Sequence, residues 1–447
     1  MRVAGVVLCA LALAPAAGAG SWLPHAADAT WTYTWSDSVY APTPTTEKVT
    51  VKSADGASFA LAWTTEGLGN PGGAVASAGT ISFQETNSGL VNTDWTSTPP
   101  PPTFPVLCAQ AASCGNALSS TLYTLIWGSR QPLLAEPLLR GAGWTSSGGA
   151  GNDVSSTSTY KGTETVSVPA FPAPVTAARV ETRITQAGAL GDPYGSGTRT
   201  VWWVYGVGPV KIEFAHAGGA GAAVTTAVLQ STNQAAAAPP PDDDYFPFSA
   251  GATATYRWRN SRHLKTPEVE TVTTDAVVNN TARLKVTSVS GPIKVAASYG
   301  FSKRLDGVTN LWGTTQSATR LRFPPLGPAG APPGKRNRFV TPFDLLDFGF
   351  NPLLPAYPAV GGQWAAAQSG NDFATYGVAG RTQVVGFQTV KVPAGSFRAL
   401  VVRSTLKQPG FPFGSGTRTA WYAAGRGLVK LVFAHADGSV STVELLR

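Results

Sequence analysis

The chain has 447 residues, with 49 glycines, 35 prolines, 13 tryptophans, only 13% charged side chains and a formal net charge of +8. Abundant turn formers and aromatics with few charges are the composition of a β-rich extracytoplasmic protein and argue against helical repeats or a disordered chain. The basic excess is not shared: residues 20–241 carry 9 Lys and Arg against 13 Asp and Glu, whereas residues 242–447 carry 23 against 12. An anionic partner for the second half, or attraction between the halves, is the expectation.

Met1-Arg2, the apolar run Val3 to Leu13, then Pro15 and Ala17-Gly18-Ala19 form a secretory signal pattern with cleavage near Ala19. Cys9 lies inside the apolar run and follows Leu8, so it does not read as a lipidation site. No later stretch reaches the roughly 18 apolar residues of a membrane-spanning helix. A soluble, secreted or extracytoplasmic protein is expected.

Trp31-Thr32-Tyr33-Thr34-Trp35 alternates as a strand does. Asp55-Gly56 is a hairpin signal, and a further turn is expected near Ser88-Gly89, with its strand ending toward Trp95. A long irregular stretch, Thr96 to Ser120, contains Pro99 to Pro102 and the pair Cys108 and Cys114. In an oxidising compartment these two cysteines are expected to form a local disulfide that rigidifies one loop. Thr121-Leu122-Tyr123-Thr124 is a weak helix start, followed by Pro132-Leu133-Leu134 and Trp144. Val168-Pro169-Ala170 then leads through an apolar strand to Gly195-Ser196-Gly197-Thr198-Arg199-Thr200.

Ser231 to Asp244 is a run of Ala, Pro and Asp that reads as a semi-rigid linker. Beyond it the pattern starts again. Thr255-Tyr256-Arg257-Trp258 alternates, Asn279-Asn280 and Asp306-Gly307 mark turns, and Gly313 to Val340 is a second proline-rich stretch, containing Lys335, Arg336 and Arg338. Thr341-Pro342-Phe343-Asp344 has the form of a helix cap with proline in the first turn. Pro352 and Trp364 repeat the twelve-residue spacing of Pro132 and Trp144, and Val392-Pro393-Ala394 leads to Gly414-Ser415-Gly416-Thr417-Arg418-Thr419. This is a tandem duplication. The expected division is a signal peptide over 1–19, a β-rich copy over 20–230, a linker over 231–244 and a second copy over 245–447.

Val392-Pro393-Ala394-Gly395-Ser396-Phe397 and Trp421-Tyr422-Ala423-Ala424-Gly425-Arg426-Gly427-Leu428-Val429-Lys430 resemble segments of uncharacterised secreted bacterial proteins that read VPAGTF and WYAPGVGLVK. The resemblance covers most of the second half and, more weakly, the first. It implies a curved antiparallel sheet with a short helix over its concave face, similar to the half-barrels of periplasmic lipoprotein carriers. The expected fold is therefore mostly β, in two homologous domains of this kind.

Chemistry is less legible. His25, His216, His263 and His435 lack the spaced His, Cys or carboxylate partners of a metal or acid–base site, so no metal, cofactor or catalytic residue is expected. The Gly-Ser-Gly strings fit neither a nucleophile elbow nor a phosphate loop. Asp344 has a capping role available and Asp347 lies within one turn of it, at positions the first half fills with Thr124 and Trp127, so a hydrolytic pair is disfavoured. Arg199 beside Trp202 and Arg418 beside Trp421 are offered as ligand contacts, by stacking or by reaching into a concave face, against the plainer expectation of solvent-facing arginines. Lys335, Arg336 and Arg338 are offered to an anionic envelope polymer or lipid. The leading expectation is a non-enzymatic protein that holds a lipid or other amphipathic ligand on concave aromatic-lined faces. The alternative is an envelope interaction module using proline-rich and basic loops. A hydrolase is disfavoured, and nucleic acid is not an expected partner for a secreted chain.

Overall fold

The computed structural model describes residues 21–65, 68–70, 73–75, 78–97, 105, 107, 119–147, 154–187, 193–218, 222–319, 323–326, 338–349, 352–365 and 377–447. The signal pattern, both cysteines of the expected disulfide, Lys335 and Arg336 lie outside these residues.

The first half contains β1 (Thr30–Asp37), β2 (Ala41–Asp55), β3 (Ser58–Thr65), β4 (Leu68–Asn70), β5 (Gly73–Val75), β6 (Ala78–Thr86) and β7 (Gly89–Ser97). Helix α1 (Thr121–Ile126) follows, then β8 (Leu134–Ala135), β9 (Gly143–Ser147), β10 (Val154–Val166), β11 (Val175–Gln186), β12 (Gly197–Val204), β13 (Gly208–His216) and β14 (Val224–Thr232). The second half repeats the plan with β15 (Thr253–Asn260), β16 (Leu264–Val278), β17 (Thr281–Ser290), β18 (Val295–Arg304) and β19 (Gly307–Ser317) before helix α2 (Pro342–Asp347). After α2 come β20 (Gln363–Ala365), β21 (Ala379–Val392), β22 (Gly395–Lys407), β23 (Gly416–Ala423), β24 (Gly427–His435) and β25 (Val440–Leu445).

Each half is one antiparallel sheet made of two meanders. The strand order is β8-β7-β6-β3-β2-β1-β14-β13-β12-β11-β10-β9 in the first, with β4 and β5 attached at β2, and β19-β18-β17-β16-β15-β25-β24-β23-β22-β21-β20 in the second. The first and last strands of each half therefore pair at its centre, Tyr33 with Leu229 and Tyr256 with Leu445. Period-2 burial along β1 shows the cause: Trp31, Tyr33 and Trp35 point inward while Thr32 and Thr34 do not. Each sheet curves around its helix, and every residue of α1 and α2 is buried. Two separate principal cores result, one drawn from residues 22–229 and one from residues 245–445.

The expected turns are present. Gly56 (φ +57°) and Asn279 (φ +51°) occupy the left-handed region that tight hairpins require, and the same register joins the flanking strands in both copies. The segment before β15 packs rather than dangles. Ala237 N–H donates to Tyr205 O, Tyr160 Oη to Asp242, and Lys303 Nζ lies 2.5 Å from Asp244. The halves also touch directly: Leu305 N–H donates to Asn87 O, Leu138 N–H to Tyr357 Oη, and Thr145 N–H to Asn279 Oδ1.

Candidate ligand cleft

The duplicated string explains itself residue by residue. Gly195 and Gly414 sit against the side-chain amides of Gln186 and Gln408, where a Cβ would fall within 1.7 and 1.8 Å of the amide oxygen. Ser196 Oγ and Ser415 Oγ accept the backbone N–H of those same glutamines, at 2.9 and 2.8 Å. Gly197 (φ +148°) and Gly416 (φ +139°) meet the carbonyls of Ala215 and Ala434 so closely that no side chain fits.

Arg199 and Arg418 are then placed where the plainer reading did not put them. Arg199 is 1% and Arg418 4% exposed, both on the concave face. Arg199 Nη1 donates to Thr124 O and Trp127 O, each at 2.7 Å, and Arg418 Nη1 to Leu345 O at 2.6 Å and Phe348 O at 2.9 Å. These are the carbonyls that a helix C-terminus leaves unpaired, so the arginine of each copy caps its helix from the sheet. Burial lowers the guanidinium to about 9 in Arg199 and about 10 in Arg418, which leaves both charged at neutral pH. Trp202 and Trp421 lie on the opposite face, because residues three apart in a strand point to opposite sides. There Trp202 donates to Glu164 beneath Lys211, and Trp421 donates to Gln388 at 3.0 Å beneath Lys430. Arg338 is half-buried beside Phe339 at the end of its loop.

The repeated histidines are also consumed internally. His435 Nδ1 lies 2.6 Å from Phe413 O and Nε2 2.8 Å from Ser441 Oγ, and burial lowers the ring to about 4. His216 makes the same pair of contacts, to Tyr194 O at 2.6 Å and Thr225 Oγ1 at 2.7 Å. Beside them, Asp37 and Asn260 use one side-chain oxygen each to accept two backbone N–H groups of the following turn. Among the described residues no three His, Cys, Asp or Glu side chains form a group able to hold a metal ion.

The copies differ at the other helix end. In the first, Glu47 reaches from β2 and accepts Thr121 N–H at 2.7 Å. Strand pairing aligns Glu47 with Glu270, opposite Tyr33 and Tyr256 respectively. In the second copy Pro342 stands where Thr121 stands and has no N–H to give. A capping box replaces it: Thr341 Oγ1 accepts the N–H of Phe343 and Asp344, and Asp344 accepts those of Val340 and Thr341 and the hydroxyl of Tyr299. The arginine contacts align Asp344 with Tyr123 and Asp347 with Ile126, one residue off the sequence-based pairing with Thr124 and Trp127. Glu270 is left buried, with neither oxygen paired. Burial, with Glu268 and Asp344 nearby, holds its carboxyl well above the usual range.

Glu47 carries a testable consequence. One of its oxygens is dry and unpaired, and burial raises its carboxyl to about 7. The folded state thus prefers the protonated form. Its stabilising contribution is full below the unfolded value near 4.5 and is lost as pH rises through 7. Between pH 4.5 and 8 urea unfolding of the first half should lose about 3 kcal/mol through Glu47, beside a loss of the same sign from Glu136, whose carboxyl burial raises to about 8, and Glu47→Gln should remove the first part of that dependence. An unchanged slope in the variant would count against the assignment.

A single position in β15 opens the cleft. Trp31 pairs with Val49, and Ala254, with Val272, is its equivalent. The alignment is fixed by the neighbouring tyrosines, whose hydroxyls donate to Pro209 O and Leu428 O at 2.8 and 2.9 Å. In the first half Trp31 is 2% exposed and its indole N–H donates to Val207 O at 2.7 Å. In the second half the side chain shrinks to a methyl, and a cleft of about 150 Å³ stands between the sheet, the helix and the β23–β24 turn. Phe246, Tyr256, Val272, Leu284, Phe343 and Leu428 supply most of its apolar wall, while Arg426 and Arg447 border it with exposed guanidinium groups. Val207, the equivalent of Arg426, is buried and apolar. Sequence reading missed this site, although the signal was present in the unequal pair Trp31 and Ala254.

No family model and no curated protein matches the sequence. Two crystal structures are similar. One, a candidate lipoprotein of Parabacteroides distasonis, is 12% identical, with 48% of this chain and 99% of that chain covered and a TM-score of 0.24. The other, a candidate exported protein with a YmcC-like fold from Bacteroides fragilis, is 15% identical, with 46% and 98% covered and a TM-score of 0.23.

Proposed function

We propose that the chain is a secreted, non-enzymatic binding protein in which the first β-rich copy is a filled scaffold and the second carries the ligand cleft. The observation behind this reading is the apolar cleft at Ala254, bordered by Arg426 and Arg447, in the place that Trp31 fills in the other copy. Absence of catalysis is supported by where the polar groups go: Arg199, Arg418, His216, His435 and Asp344 are each engaged with backbone or hydroxyl groups that the fold must satisfy. The signal pattern at residues 1–19 supports export.

Size sharpens the ligand. A space of about 150 Å³ seats one small aromatic ring system, with any substituent left at the open rim, whereas sites that enclose drug-sized ligands run to about 300–1,000 Å³. A whole lipid on the concave face, where the buried helix already sits, is the wrong scale; a short amphipathic anion fits. Calorimetric titration with octanoate, 3-phenylpropionate and indole-3-propionate tests this. At least one should bind saturably and lose its binding in Ala254→Trp, which refills the cleft. No saturable binding by any of the three, or binding indifferent to that substitution, would overturn the reading.

A further inference from the structure

From the occupant of the same space in the first copy, we infer the chemical class of the second copy's ligand: a planar aromatic ring bearing an N–H donor, indole-like in size, that carries an anionic substituent. The inference rests on the binding function proposed above and goes beyond it.

Trp31 is an internal template. Its ring lies beside Gly208, where a Cβ would fall 3.8 Å from Nε1 and 3.2 Å from Leu23, and its N–H is satisfied by the carbonyl of Val207 in the β12–β13 turn. The second copy preserves this frame. Gly427 takes the place of Gly208, Phe246 that of Leu23 and Tyr256 that of Tyr33, and the carbonyl equivalent to that of Val207 belongs to Arg426, which borders the cleft. A Cβ on Gly427 would have Pro247 at 3.5 Å and Tyr245 O at 3.9 Å as its nearest neighbours, with no indole between. The glycine, the tyrosine and the turn carbonyl that flank the indole in the first copy recur in the second, while Phe246 and Phe343 stand where Leu23 and Leu122 stand and supply aromatic faces for a ring. The change from Val207 to Arg426 adds a cation at the rim, as a carboxylate on the ring would require.

An alkyl chain could use the apolar wall but not the carbonyl, and a phenyl ring has no donor for it. The test therefore compares four probes on the full secreted chain: indole-3-propionate, its N-methyl analogue, 3-phenylpropionate and octanoate. Indole-3-propionate should bind most tightly. Blocking or removing the ring N–H should weaken binding roughly tenfold, the worth of one hydrogen bond in a largely dry site. Arg426→Ser should weaken all four alike by several-fold and more so at low salt, since Ser keeps the backbone carbonyl and removes the charge. Equal affinity for the N-methyl and parent compounds, or tighter binding of octanoate, would sink the indole inference while leaving the cleft as a binding site. Failure of all four to bind would remove both.

Discussion

Arg199→Met should cost the first half about 3–5 kcal/mol, and Arg418→Met the second half a comparable amount. Methionine can occupy the stem of the arginine but cannot donate, so two helix-terminal carbonyls, Thr124 O and Trp127 O or Leu345 O and Phe348 O, are left in a dry core. Each unpaired buried acceptor costs roughly 1–3 kcal/mol, and the lost bonds were charge-assisted. For a domain of this size the midpoint should fall by about 10 °C. Thermal and urea denaturation followed by circular dichroism would measure it. Lysine should recover only part of the loss, because its single ammonium lacks the planar fork. A loss below about 1 kcal/mol in both copies would show that the helix ends do not depend on the sheet.

Trp31→Ala should be the costliest apolar truncation in the first half, at about 3–5 kcal/mol. The indole is almost wholly buried and its N–H is paired, so truncation empties a ring-sized space and strands Val207 O. The same substitution should convert the filled mouth of the first copy into a second cleft. Free indole would then restore stability in proportion to the logarithm of its concentration above its dissociation constant. Urea midpoints of wild type and variant, with and without indole, decide the point. In the first half's transition, rescue confined to the variant is the expected result, the second half gaining in both proteins through its own cleft; an equal response of the first half in both would refute the template argument.

The fold was largely legible because the signals were local and repeated. Alternation at Trp31-Thr32-Tyr33-Thr34-Trp35, positive-φ turns at Asp55-Gly56 and Asn279-Asn280, and the capping box at Thr341 each depend on a few adjacent residues. Duplication then turned weak local readings into strong ones. Roles that depend on residues far apart were not legible. Arg199 reaches a helix 75 residues earlier and Glu47 one 74 residues later, so no short window shows that either is a cap. The pairing of Arg199 with Trp202, by contrast, could have been rejected from the sequence, since an odd separation in a strand divides the faces. The unequal pair behind the cleft was legible, since Tyr33-Thr34-Trp35 and Tyr256-Arg257-Trp258 align the copies and set Trp31 against Ala254, but the walls around the vacated position come from segments far apart in sequence and were not.

One part of the contact between the halves joins matching turns. Asn87 and Leu305, which hydrogen-bond across it, occupy the same turn in each copy, between β6 and β7 and between β18 and β19. Leu138 and Tyr357, which also meet there, follow the matching prolines 132 and 352 by six and five residues. The bonds from Thr145 to Asn279 and from Asn280 to the Glu136 carbonyl have no reciprocal counterpart among the described residues, so the likeness is confined to the β6–β7 and β18–β19 turns. The β2–β3 and β16–β17 hairpin turns, equivalent in the two copies, therefore serve two ends: in the second half the asparagines tie down the chain after Pro132 of the first, while in the first half the Gly56 carbonyl is taken by His25 of its own copy.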